Sequence, residues 1–69
     1  MYREPVSSSN IRSIGYDSQS AILEVEFTSG DVYQHFDVPA HLYQGLMNAS
    51  SKGQFLNDYI KYNYRYRKV

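Results

Sequence analysis

The clearest pattern in the chain is Leu23-Glu24-Val25-Glu26-Phe27, where apolar and charged positions alternate. A period of two is that of a half-buried strand. Leu23, Val25 and Phe27 are therefore expected to face a core, and Glu24 and Glu26 to face water. An apolar-rich segment from Ile11 to Tyr16 precedes it and reads as an edge strand, with Asp17-Ser18-Gln19-Ser20 as a polar turn between the two. Thr28-Ser29-Gly30 then leads into a second β-prone run, Asp31 to Phe36, which predicts a hairpin. A three-residue bulged loop with Gly30 in the left-handed conformation sets Phe27 opposite Asp31, Val25 opposite Tyr33 and Leu23 opposite His35. Tyr33 and His35 then share the core face. A two-residue turn would put both on the other face, because strand side chains alternate; the bulged loop is the favoured reading.

Val38-Pro39 ends the strand pattern. Proline at a first helical position loses no needed donor, so a helix is expected to begin near Pro39 or Ala40. Leu42, Tyr43, Leu46 and Met47 make its apolar face, and Gly45 within it implies close packing, since glycine weakens a helix by roughly 1 kcal/mol relative to alanine. Asn48 to Ser50 breaks the pattern. Ser51-Lys52-Gly53-Gln54 fits a capping box, Ser51 as cap and Gln54 reaching back. The second helix is expected to bury Phe55, Leu56, Tyr59 and Ile60 and to fray near Asn63. The predicted architecture is α+β: a three-stranded antiparallel meander followed by two helices packed on one face, in the order βββαα.

Length makes the 69 residues a single domain, with residues 1–10 as an N-terminal arm and 65–69 as a basic tail, ordered or not. A chain this short buries only about 60% of its unfolded surface. It has no cysteine, which excludes disulfides and thiolate metal sites and favours a reducing cytoplasm. The polar start lacks the apolar stretch of a signal peptide. Aliphatic runs no longer than Ala21-Ile22-Leu23 argue against a membrane partner.

Charge redraws the picture at one end. The net charge is zero, but residues 1–57 hold three cations against six carboxylates, and residues 58–69 hold four cations against Asp58 alone. Eight tyrosines are the strongest anomaly of composition. Tyrosine buries apolar area while its hydroxyl stays wet, which suits a core edge or a binding face.

Several segments together are similar to the KTSC domain: Ser8-Ser9-Asn10-Ile11, Ile14-Gly15-Tyr16-Asp17, Leu23 to Phe27, Gly30, Val32-Tyr33, Asp37-Val38-Pro39, Tyr43, Ala49-Ser50, Lys52-Gly53, Asn57 and Ile60-Lys61. The resemblance runs from about Val6 to Tyr64, and it rests on the ordered set, since no one motif is specific. It implies a small domain found at the C-terminus of some lysyl-tRNA synthetases and as free-standing bacterial and phage proteins. It implies no established activity. Binding to RNA or tRNA is an expectation drawn from that association. The family's central tyrosine, any residue, tyrosine motif falls on Tyr33, Gln34 and His35, so histidine stands at the second tyrosine position and keeps a ring with a hydrogen-bonding tip.

Three kinds of chemistry can be weighed. Single-strand binders combine cations with rings on which bases stack, and Lys61, Tyr62, Tyr64, Arg65, Tyr66, Arg67 and Lys68 supply both. Lys61 and Arg65 share a face if the helix reaches that far; the plain alternative is a solvated terminus. A protein or self-association partner could use the outer sheet face near Ile22, Val32 and Phe36, or the Ile11–Tyr16 edge. Catalysis has little support. Glu24 and Glu26 should be exposed, His35, Asp37 and His41 match no metal motif, and Ser7, Ser8 and Ser9 lack the glycines of a nucleophile elbow. No catalytic residue, metal or cofactor is expected. Asn57, Ser9 and Asn10, with Lys61, form a candidate polar cluster that serves either as a binding site or as a structural clasp between arm and helix.

Overall fold

The computed structural model describes residues 1–69. Its sheet has five strands in sequence order, all antiparallel neighbours: β1 (Glu4–Pro5), β2 (Ile11–Asp17), β3 (Ile22–Phe27), β4 (Val32–His35) and β5 (Tyr66–Lys68). Two helical segments lie between β4 and β5: α1 (Ala40–Asn48) and α2 (Lys52–Phe55), which runs on as a π-helix over Leu56–Lys61. The architecture is mixed α and β with two helices, as expected, but with five strands instead of three. The two added strands come from the ends. The arm contributes β1, so β2 is not an edge. Residues 66–68 form a strand beside β4 where a tail was expected, so the helices are inserted in the meander and do not close it.

The hairpin register follows the glycine loop. Leu23 pairs with His35 and Val25 with Tyr33. Gly30 takes φ +97°, its amide donates to the Phe27 carbonyl, and the Phe27 amide donates to the Asp31 carbonyl. The helices start where the local chemistry predicts. α1 follows Pro39, and the Ser51 hydroxyl accepts from the Gln54 amide. Gln54 does not complete the capping box: its side chain donates forward to Asp58 Oδ1 at 2.9 Å.

The core joins Ile11, Ile14, Leu23 and Val25 of the sheet to Leu46, Leu56 and Ile60 of the helices, with Val38 at the junction. Burial of each such side chain contributes about 1.5–3 kcal/mol. Tyr59, expected inside, is 52% exposed and lies against Phe55, ring centroids 4.7 Å apart. Gly45 makes room for Phe55, because a Cβ there would fall 2.6 Å from the ring's Cζ. Tyr16 stacks on Tyr43 at 4.8 Å and donates its hydroxyl to the Val38 carbonyl at 2.6 Å, tying β2 to α1.

The arm also changes the outer face. Gly15 admits it: a Cβ on Gly15 would meet the Tyr2 carbonyl oxygen at 2.5 Å. Arg3 is thereby laid across β2, where it pairs with Glu24 and donates to the Ser13 hydroxyl. Gln34 donates to the other Glu24 oxygen at 2.8 Å, and Ser13 donates to Glu26. Glu24, expected in water, is only 7% exposed. Desolvation alone would raise its pKa, but the hydrogen bonds from Gln34 and Arg3 outweigh that and hold it below the usual 4.5.

Candidate functional site

A cleft of about 600 Å³ opens between the β3–β4–β5 end of the sheet and the second helix. That volume lies within the range of small-molecule sites, about 300–1,000 Å³. One wall is aromatic. β-strand alternation puts Tyr33 and His35 of β4 on the inner face, and β5 adds Tyr66 directly opposite His35. Phe27, Tyr33, Tyr66 and His35 form a continuous row, each ring centroid 5.8 Å from the next.

The opposite wall is the helix stripe Gly53, Asn57 and Lys61, with Leu56 beneath. These residues recur every four positions. In an α-helix four residues overshoot a turn by about 40°, whereas in the wider π-helix they fall short of one. The passage from α to π at Leu56 thus keeps all three on one stripe. Such π segments occur frequently at functional sites. Asn10 reaches the same cleft from the arm, its amide nitrogen 3.4 Å from where a Cβ on Gly53 would stand. Thr28, Ser29 and Asp31 of the hairpin loop complete the rim.

His35 is the anomaly. It is 3% exposed, and neither ring nitrogen has a hydrogen-bond partner. Burial holds its pKa below the usual 6.5, so the ring is neutral at physiological pH. It then carries one donor and one acceptor, both unused. Leaving a buried polar group unpaired costs about 1–3 kcal/mol, and in a native structure such a group calls for an explanation. Its cross-strand neighbours are Leu23, in the core, and Tyr66, which is 54% exposed on a three-residue strand and whose ring lies beside the imidazole, tilted by 41°.

The expected basic and aromatic stretch does not form one surface. The helix ends at Lys61, so Lys61 and Arg65 do not share a helical face. Lys61 stands at the cleft with its Nζ 5.4 Å from the Tyr62 ring. Tyr64 packs against the core. Arg65 pairs with Asp37 at 3.5 Å and lies over Phe36. Tyr66 enters the cleft, Arg67 pairs in register with Gln34 on the outer face, and Lys68 bonds Asp31 at 3.3 Å. Ring–cation alternation in the sequence is here the alternation of a strand. Of the polar cluster, Asn10, Asn57 and Lys61 meet at the cleft, and Ser9 does not line it. Asp31, Thr28 and Ser29 were missed by sequence reasoning. The predicted hairpin register was the signal that could have found Asp31, since it sets the loop beside Tyr33.

The fold is a small α+β domain with a cleft lined on one side by aromatic rings. The chain belongs to the KTSC family, whose "KTSC domain" model matches residues 7–64. It is 43% identical to an uncharacterized protein of Stutzerimonas stutzeri, over 100% of this chain and 99% of that one. It is 38% identical to part of a lysine–tRNA ligase of Nostoc punctiforme, over 86% of this chain and 10% of the ligase. The crystal structure of a KTSC domain protein from Yersinia pestis superposes with a TM-score of 0.95 at 44% identity, covering 99% of this chain and 96% of that one. No helix is long and apolar enough to cross a membrane.

Proposed function

We propose that the domain is a non-catalytic module that binds single-stranded RNA, segments of tRNA included, at the cleft between β4–β5 and the second helix. The observation that carries this reading is the pairing of walls: a row of aromatic rings faces a helix stripe bearing an amide, Asn57, and a cation, Lys61. Stacking on rings and attraction of phosphate are the two terms from which single-strand binding is built. The related stretch in a lysine–tRNA ligase supports RNA over other polyanions.

The surface expected for a protein partner is less suited to one. The outer face is occupied by Arg3, Glu24, Gln34, Ser13 and Glu26, bonded to one another, and the β2 edge is partly filled by β1. Titration of the labelled domain with a single-stranded RNA hexamer, followed by amide shifts, tests the proposal. Shifts at Tyr33, Asn57, Lys61 and Tyr66 are expected at low salt. Absence of any shift at millimolar RNA contradicts RNA binding.

A further inference from the structure

Stacking on a row of rings needs no buried polar group, yet the cleft keeps one. Aromatic faces bind every base alike, because every base has a π-face. Discrimination among bases comes from donors and acceptors at their edges. The cleft holds such groups in excess of what the fold uses. His35 has two unpartnered nitrogens beside Tyr66, and no hydrogen bond holds the Asn57 or Asn10 amide. An amide offers a donor and an acceptor side by side, and so does a neutral imidazole across its ring. The only cation of this wall, Lys61, is four residues beyond Asn57, at most about 6 Å along the axis, and forms none of the domain's ion pairs.

We propose that the cleft seats one unstacked nucleobase of a phosphate-bearing nucleotide, its face on Tyr66 and Tyr33, its edge read by Asn57 and His35, and its phosphate at Lys61. The inference rests on the RNA-binding reading but is narrower, since it assigns a single-base site with edge recognition. His35 is 3% exposed, so reaching its nitrogens requires its neighbours at the cleft, Tyr66 among them, to give way. β5 is suited to that, being three residues long and exposed throughout.

The same chemistry could come from a free mononucleotide or from a base within a strand. Three probes distinguish them: each of the four ribonucleoside 5′-monophosphates, ribose 5-phosphate, and a hexamer compared with the same hexamer bearing one abasic position. Aromatic and side-chain amide resonances of the labelled domain are the readout. The expected result is that the hexamer shifts His35, Tyr66 and the Asn57 side-chain amide, and that moving the abasic position through the strand finds one place where affinity falls roughly 5- to 150-fold, the stacking contribution of one base. Base-bearing monophosphates that move the same resonances would identify a mononucleotide as sufficient; monophosphates that do not would assign the site to a base within a strand. Asn57→Ala, at an exposed position, should flatten the preference among bases at that place without unfolding the domain. The inference is overturned if every abasic hexamer binds as well as the parent, if ribose 5-phosphate reproduces the shifts, or if hexamer binding leaves the cleft untouched while moving residues such as Arg67. That last result leaves RNA binding standing, whereas a hexamer that moves nothing removes both.

Discussion

His35 and Tyr66 face each other across β4 and β5 with ring centroids 5.8 Å apart, and neither imidazole nitrogen is hydrogen-bonded. A phenyl ring would fill the same space with no polar atom to satisfy. His35→Phe should therefore raise stability, by about 1–2 kcal/mol in urea unfolding, while weakening RNA binding. A variant that loses stability would mean that the imidazole makes a hydrogen bond in solution and that the fold, not a ligand, uses it.

Acid should act in two stages. The folded pKa of His35 lies below 6.5, so the unfolded chain takes up this proton first. Stability from the neutral ring is complete above pH 6.5 and declines as pH falls from there toward the depressed native value. Glu24 is also depressed, from 4.5, so its contribution is present above pH 4.5 and is lost as pH falls below it. Chemical denaturation across pH 3–8 (a range set by the ordinary His and Glu values) should show both declines. His35→Phe should remove only the upper one, and Glu24→Gln should shrink only the lower, to which Asp17, also held low by its hydrogen bonds from Ser20 and Gln19, still contributes.

Ala21 has φ +57°, the left-handed region that a side chain disfavours. The bend there lets the Ala21 carbonyl accept from the Val38 amide at 3.0 Å. Ala21→Gly should relieve the strain and stabilise by about 0.5–1 kcal/mol, a rise in melting temperature of about 2–8 °C in a domain of this size. The same change at Ala40 in α1 should lower it.

Gly15 and Arg3 act together. A methyl group on Gly15 would strike the Tyr2 carbonyl, so Gly15→Ala should displace the arm, release Arg3 from Glu24 and Ser13, and destabilise by about 1–3 kcal/mol. Arg3→Ala should cost a similar amount by leaving Glu24 buried without its cation. The double variant should cost little more than either alone, as a thermal-denaturation cycle would read.

Salt dependence should be shallow. Lys61 and Arg67 form none of the four ion pairs, and Arg65 and Lys68 are held by exposed carboxylates. With one or two phosphates neutralised, log K should fall against log salt with a slope of about −0.7 to −1.4. Lys61→Gln should reduce that slope by about 0.7 in anisotropy titrations.

The hairpin and both helix starts could be read in the sequence because each rests on chemistry local to it. Gly30 sets the loop, Pro39 immediately precedes α1, and Ser51 caps α2. The end strands could not be read so. Glu4–Pro5 and Tyr66–Lys68 are too short to display alternation against a core, and exist because β2 and β4 have edges to pair with. Glu24 follows from the same omission: alternation put it outward correctly, and only the arm, bringing Arg3 over it, buries it. The cleft was visible in pieces. Tyr33 and His35 followed from the register, and Asn10, Asn57 and Lys61 from their positions on arm and helix. What joins them is the return of the chain as β5, which brings Tyr66 beside His35.

The most direct test follows the His35 imidazole itself. Its ring nitrogen shifts should be recorded in the labelled domain before and after saturation with an RNA hexamer at low salt. If the cleft binds a base and His35 reads it, the ring nitrogens should move as they gain hydrogen-bond partners, with Asn57 and Tyr66 changing at the same RNA concentration. If the hexamer binds and those nitrogens stay where they were, His35 is only a buried ring of the fold and the cleft does not read the base through it.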